Sequence, residues 1–151
     1  MIVRETSLAG VLIIEPKVFD DDRGWFSETF QAEKYRDIGI EAAFVQDNIS
    51  RSSYGVVRGL HFQKANPQGK LITCLSGRIL DVVVDLRAES PTFGRTSSTI
   101  LDSDTRVQLW VPCGFAHGFS VLSDSADCFY KCTDYYSSSD QNGVLWNDPD
   151  L

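Results

Sequence analysis

The chain has 151 residues and a mass of 16.9 kDa, and its 14 Lys and Arg against 21 Asp and Glu give a net charge of -7 and a pI near 4.7. That acidity, without a basic tail, argues against nucleic acid as a partner, and no apolar run approaches the ~18 residues of a membrane-spanning helix. A hydrophobic fraction of 42% suits one globular domain over residues 1–151, and an N-terminus lacking the basic start and apolar core of a signal peptide points to the cytoplasm.

From the N-terminus, the apolar run Val11 to Glu15 is closed by Pro16, and the turn Asp20-Asp21-Asp22-Arg23-Gly24 leads into Trp25 to Phe30; both apolar pieces read as strands. Good helix formers between Gln31 and Ile38, stopped by Gly39, predict the one helix. Strands follow at Phe44 to Ser50, Val56 to Gln63, Lys70 to Leu75, Ile79 to Leu86, Thr96 to Leu101, Arg106 to Val111, Phe115 to Leu122 and Ala126 to Tyr136. Many short strands with turns between them make an all-β antiparallel sandwich or barrel. The turn residues Asn66-Pro67-Gln68-Gly69 predict a hairpin that joins the strand carrying Arg58 and His61 to the one opening on Lys70. Cys74, Cys113, Cys128 and Cys132 form no Cys-x-x-Cys pair and read as four buried, reduced thiols.

Alternation then assigns faces. His117 falls with Phe115, Phe119 and Val121, Tyr130 falls with Cys128 and Cys132, and Asp81, Val83 and Asp85 share one side of their strand. Strands that each send one titratable group to an apolar side suit a barrel that holds a ligand. Arg58 and His61 have opposite parity, so both reach the interior only if Gly59 supports a bulge. From Arg51 to Arg78 there are five basic residues and no acidic one, a local positive field that fits a small anion inside an acidic protein.

His61 is the candidate general base, because an imidazole titrates near neutral pH. Lys70 beside it could stabilise an enolate formed next to a carbonyl, and Tyr130 could return a proton from the far side. Each also has a plain structural reading, as a strand histidine, a solubilising lysine and a core tyrosine. Phe26, Tyr136 and Trp146 could stack a base or cover a sugar, or simply fill the core. His61 and His117 are the only histidines and neither has a metal-ligand spacing, so no metal and no cofactor are expected.

Several segments in order along the chain, among them Asp22-Arg23-Gly24, Phe44-Val45-Gln46-Asp47-Asn48, Arg58-Gly59-Leu60-His61-Phe62-Gln63, Pro112-Cys113-Gly114-Phe115-Ala116-His117-Gly118-Phe119 and Leu145-Trp146-Asn147-Asp148, closely resemble the dTDP-4-dehydrorhamnose 3,5-epimerase family. The resemblance implies a metal-independent cupin, a jelly-roll barrel that pairs into a homodimer by strand exchange. It implies a dTDP-4-keto-6-deoxyhexose substrate, with His61 as proton acceptor, Tyr130 as proton donor and Lys70 on the enolate. It further implies that Arg23, Glu28, Gln46, Asp47, Asn48, Arg58 and His117 hold the nucleotide and diphosphate, and that Tyr136 stacks on thymine. Gln141 stands where the family carries a ligand-contacting Glu. Family chains usually run on past Trp-Asn-Asp-Pro to an aspartate that orients the catalytic histidine. Because this chain ends at Leu151, it reads as a short member in which Asp81 or Asp85 takes that place. A 3,4-ketoisomerase and a non-catalytic nucleotide-sugar-binding cupin are the alternatives.

Overall fold

Runs rich in β-branched and aromatic residues, each broken by a turn, become thirteen strands in the computed structural model, which describes residues 1–151. In chain order these are β1 (Ile2–Glu5), β2 (Leu12–Glu15), β3 (Val18–Asp21), β4 (Gly24–Ser27), β5 (Gln46–Ser53), β6 (Val57–Gln63), β7 (Lys70–Ser76) and β8 (Arg78–Asp85). After them come β9 (Thr96–Asp102), β10 (Gln108–Val111), β11 (Phe115–Val121), β12 (Ser125–Cys132) and β13 (Gln141–Gly143). Between β4 and β5 lies the single helix α1 (Ala32–Asp37), where extended Gln31 caps the N-terminus by accepting from the Lys34 N–H at 2.9 Å.

All pairings are antiparallel. One sheet has the order β1-β2-β10-β7-β12-β5, a second has β13-β6-β11-β8-β9, and β3 with β4 forms a separate hairpin. The two larger sheets face each other as a jelly-roll barrel, closed by a core of Ile72, Cys74, Leu109 and Cys128 from the first sheet and Ile79, Val83, Leu101, Phe119 and Val121 from the second. Helix α1 packs Tyr35 with Ile14, Ile40, Leu71 and Trp110 on the outside of the first sheet.

Several expected boundaries move. The strand expected over Trp25 to Phe30 ends at Ser27, the one expected over Phe44 to Ser50 runs instead over Gln46–Ser53, and the last long strand ends at Cys132. Strands β1, β3 and β13 are short pieces that the pattern did not reveal. Three cysteines are buried, but Cys113 is exposed because it sits in the turn before β11.

The larger correction concerns Val56 to Lys70. No hairpin forms there: β6 pairs with β11 and β13, whereas β7 pairs with β10 and β12. The turn Asn66 to Gly69 carries the chain from one sheet to the other, so His61 and Lys70 come from opposite walls of the barrel.

The bulge expected at Gly59 is present. In the β6–β11 pairing His117 lies opposite His61 and Phe119 opposite Arg58, so β6 carries one extra residue there. Gly59 has φ +110°, and a Cβ on it would stand 2.6 Å from Gly118 Cα and 2.7 Å from the His117 carbonyl oxygen. Both the dihedral and the close approach demand glycine. At Gly94, φ is +75° but nothing lies within 4 Å of an added Cβ. Gly94→Ala should therefore cost only the left-handed backbone term of about 1–2 kcal/mol, and Gly59→Ala should cost at least about 3 kcal/mol because backbone must also move. Urea unfolding of the two variants measures the difference, and equal costs would show that the β6–β11 contact is not a tight constraint.

Candidate active site

The barrel interior opens into a contiguous cavity of three chambers, of about 390, 310 and 350 Å³, and His61 and Lys70 line all three. The bulge places Arg58 and His61 together on the wall of the third chamber, where Ser50, His117 and Tyr130 join them. Alternation along β5 sends Gln46, Asn48 and Ser50 inward, and Tyr136 and Gln141 complete the second chamber with Gln46, Asn48 and Tyr130. The lining residues include Arg58, His61, Lys64, Lys70 and His117 and no Asp or Glu, so three of the five basic residues between Arg51 and Arg78 face the cavity, whereas Arg51 pairs with Asp127 outside it.

The electrostatics suit proton transfer. Partial burial lowers the His61 pKa below that of a free imidazole, and the nearby charges of Lys70 and His117 lower it further, so the ring is held neutral and able to accept a proton. Burial also lowers the Lys70 pKa, opposed by Cys132 and Asp81. The Lys70 ammonium lies 6.0 Å from the centroid of the Tyr130 ring, close enough for a weak cation–π contact. Burial raises the Tyr130 pKa, which keeps the phenol protonated and able to donate.

Hydrogen bonds fix the surrounding groups. Arg58 Nε donates to Ser52 Oγ at 2.8 Å, and Gln46 Nε2 donates to Asn48 Oδ1 at 3.0 Å. The backbone N–H of Tyr136 donates to Gln46 Oε1 at 2.9 Å, and the Tyr136 hydroxyl donates to Gln141 Oε1 at 2.7 Å. Gln63, a cavity-lining residue that the sequence reading did not single out, is buried between two loops. Its Oε1 accepts from the Ser137 N–H at 2.6 Å while its Nε2 donates to the Asn66 carbonyl at 2.8 Å. The signal for it was available, since Gln63 is a polar residue of the same parity as His61.

Not every expected residue reaches the cavity. Asp47 has the parity opposite to Gln46 and Asn48, so it points outward and pairs with Lys131 at 2.8 Å. Arg23 and Phe26 belong to the separate β3–β4 hairpin, where Arg23 pairs with Asp21 at 2.5 Å and Phe26 is 66% exposed. Glu28 follows that hairpin and pairs with Lys34 at 2.7 Å. Trp146 also stands outside and is 64% exposed.

Neither acid nominated to orient His61 does so. In the second sheet β11 lies between β6 and β8, so Asp81 on β8 meets His117 first, with 3.0 and 2.8 Å between its two oxygens and His117 Nε2. Asp85 accepts from Arg87, Ser90 and Thr92, which together hold its carboxyl far below the usual range. No group of three or more His, Cys, Asp or Glu side chains is arranged to hold a metal ion, and no helix is long and apolar enough to cross a membrane.

A model of the dTDP-4-dehydrorhamnose 3,5-epimerase family matches residues 5–151. The chain belongs to this epimerase family. It is 51% identical over 150 residues to the dTDP-4-dehydrorhamnose 3,5-epimerase of Salmonella typhimurium, an alignment that covers 98% of this chain and 82% of that one. The crystal structure of dTDP-6-deoxy-D-glucose-3,5-epimerase from Legionella pneumophila in complex with dTDP-4-keto-L-rhamnose matches with a TM-score of 0.97 and 49% identity, over 99% of this chain and 80% of that one. The family enzyme of Bacillus anthracis, with TDP and PPi bound, matches with a TM-score of 0.96 and 46% identity, over 99% of this chain and 86% of that one. The cupin-type jelly roll expected from the resemblance is thus the fold of this family member.

In such an epimerase the ionisation of His61 is measurable directly. By proton NMR titration it should have its midpoint below that of a free histidine side chain. Because the Lys70 charge disfavours a second positive charge nearby, Lys70→Met should move the midpoint upward. An unchanged midpoint in Lys70→Met would break the electrostatic link between the two walls.

Proposed function

We propose that residues 1–151 act as one epimerase domain on a dTDP-4-keto-6-deoxyhexose, inverting C3, C5 or both. What carries this reading is one cavity in which a neutral imidazole on one sheet, His61, shares walls with an ammonium and a protonated phenol on the other sheet, Lys70 and Tyr130. His61 takes the proton from carbon next to the 4-keto group, and the electron pair moves to the carbonyl oxygen as an enolate that Lys70 stabilises. Tyr130 returns a proton to the opposite face, the enolate collapses to the ketone, and proton exchange with solvent resets imidazolium and phenolate. The sugar's own carbonyl is the electron sink, so the reaction calls for no metal and no other cofactor.

The remaining residues hold the nucleotide. Arg58, anchored through Nε to Ser52, offers its other nitrogens to the diphosphate. Tyr136 stacks on thymine with Gln141 at its hydroxyl, and Gln46 and Asn48 contact sugar hydroxyls or base edges. His117, opposite His61 in the β6–β11 pairing, belongs at the sugar end rather than the nucleotide end. We place the protein in the cytoplasm as a homodimer formed by strand exchange. In that arrangement the projecting hairpin brings Arg23, Phe26 and Glu28 to the cavity of the second copy, which accounts for three ligand residues that lie outside the cavity of their own chain. Asp47 has no such explanation on its outward face, and we assign it no contact.

Proton NMR of dTDP-4-keto-6-deoxyglucose in heavy water tests the reading through loss of the C3 and C5 signals. The wild-type protein should exchange one or both protons and release the epimerised sugar. His61→Ala should slow exchange by about 10²–10⁴-fold, the usual contribution of a positioned base. Full exchange in His61→Ala would remove His61 from its role. A product with the carbonyl moved to C3 would make the protein a ketoisomerase, and binding with no wild-type exchange would make it a binding cupin.

A further inference from the structure

Asp81 is the one carboxylate buried against the reactive groups that the proposed reaction leaves unused. Its side chain has no solvent exposure, and its only hydrogen-bond partner is His117 Nε2. Neighbours on its face of β8 are Ile79 and Val83, both in the apolar core. A buried carboxylate with a single partner is a poor device for stability, since an apolar side chain of similar volume at such a site is often neutral or stabilising. Core packing therefore does not account for an acid here.

The geometry points to Asp81 as a positioning residue that acts through His117 at the sugar end of the cavity. A hydrogen on Nε2 is claimed by the carboxylate, so the ring cannot turn over freely and its Nδ1 is left for the cavity. His117 lies directly opposite His61 across β6 and β11, and it shares the third chamber with Lys70 and Tyr130. A ring fixed there touches the sugar beside the carbon that loses its proton. Burial raises the Asp81 pKa, and His117 and then Lys70 oppose that rise, while His117 also acts on His61. The same carboxylate thus faces the ammonium that stabilises the enolate, although its hydrogen bond goes to the histidine alone.

The inference rests on the proposed epimerisation, and the two fail in different ways: wild-type protein without exchange would remove the function, whereas an Asp81 variant with normal exchange would remove only the role given to Asp81. Asp81→Asn keeps an acceptor of nearly the same shape and removes the charge. At saturating substrate its C3 and C5 exchange in heavy water should fall at least ~10-fold, as for loss of other groups that orient a functional histidine, with KM changed by less than roughly threefold. In a His117→Asn background, adding Asp81→Asn should cost nothing more. Nitrogen-15 NMR of the wild-type protein, which depends on no variant folding, should show the His117 proton on Nε2. A lower melting temperature with wild-type exchange, a rise in KM alone, an additive loss in the double variant, or a His117 proton only on Nδ1 would each overturn the assignment.

Discussion

The site depends on the close approach of Gly59 to Gly118. An ideal strand would turn Arg58 and His61 to opposite faces, and β6 avoids this by inserting one residue against β11 at a glycine with positive φ. No other side chain fits, because any Cβ on Gly59 meets backbone of β11, and one on Gly118 would meet the Arg58 carbonyl oxygen at 2.5 Å. From that contact follow the placement of His61 beside Arg58 and the position of His117 across from His61. A local backbone feature of two glycines thus sets the spacing between the proposed base and the proposed diphosphate-binding arginine.

Desolvation by the barrel then supplies the correct protonation states. The same burial that disfavours a charged imidazole at His61 disfavours a phenolate at Tyr130, so one physical effect suits both the proposed base and the proposed acid. Burial also weakens Lys70 as a cation, and Asp81 opposes that from behind the cavity wall. An acidic protein can in this way present an interior free of lining carboxylates to an anionic substrate, with its negative charge left mostly on the outer surface, as in the Asp47–Lys131 and Asp127–Arg51 pairs.

Much of this was legible in the sequence because strand alternation is a local property. It assigned the inward faces of His117 and Tyr130 correctly, and the parity conflict between Arg58 and His61 identified the bulge. What the sequence did not disclose was which strands are neighbours. Asn66-Pro67-Gln68-Gly69 reads alike as a hairpin turn and as a connection between sheets, and only the strand order distinguishes them. The same ignorance made Asp81 a candidate partner for His61, although β11 intervenes and His117 intercepts it. Asp47 shows the opposite failure: alternation with Gln46 and Asn48 already turned it outward, and the resemblance overrode that signal. Arg23 and Phe26, with Glu28 just after them, lie outside the cavity because the β3–β4 hairpin pairs with neither large sheet, and no local pattern marks that independence.

The central claim, that His61 and His117 flank the sugar of a bound nucleotide, can be tested without turnover because the chain holds only these two histidines. Protein labelled at histidine alone and titrated with a dTDP-hexose lacking the 4-keto group should show both sets of imidazole signals shifting together to saturation as the ligand binds. Saturable binding that leaves both imidazoles unmoved would place the sugar elsewhere and contradict the account.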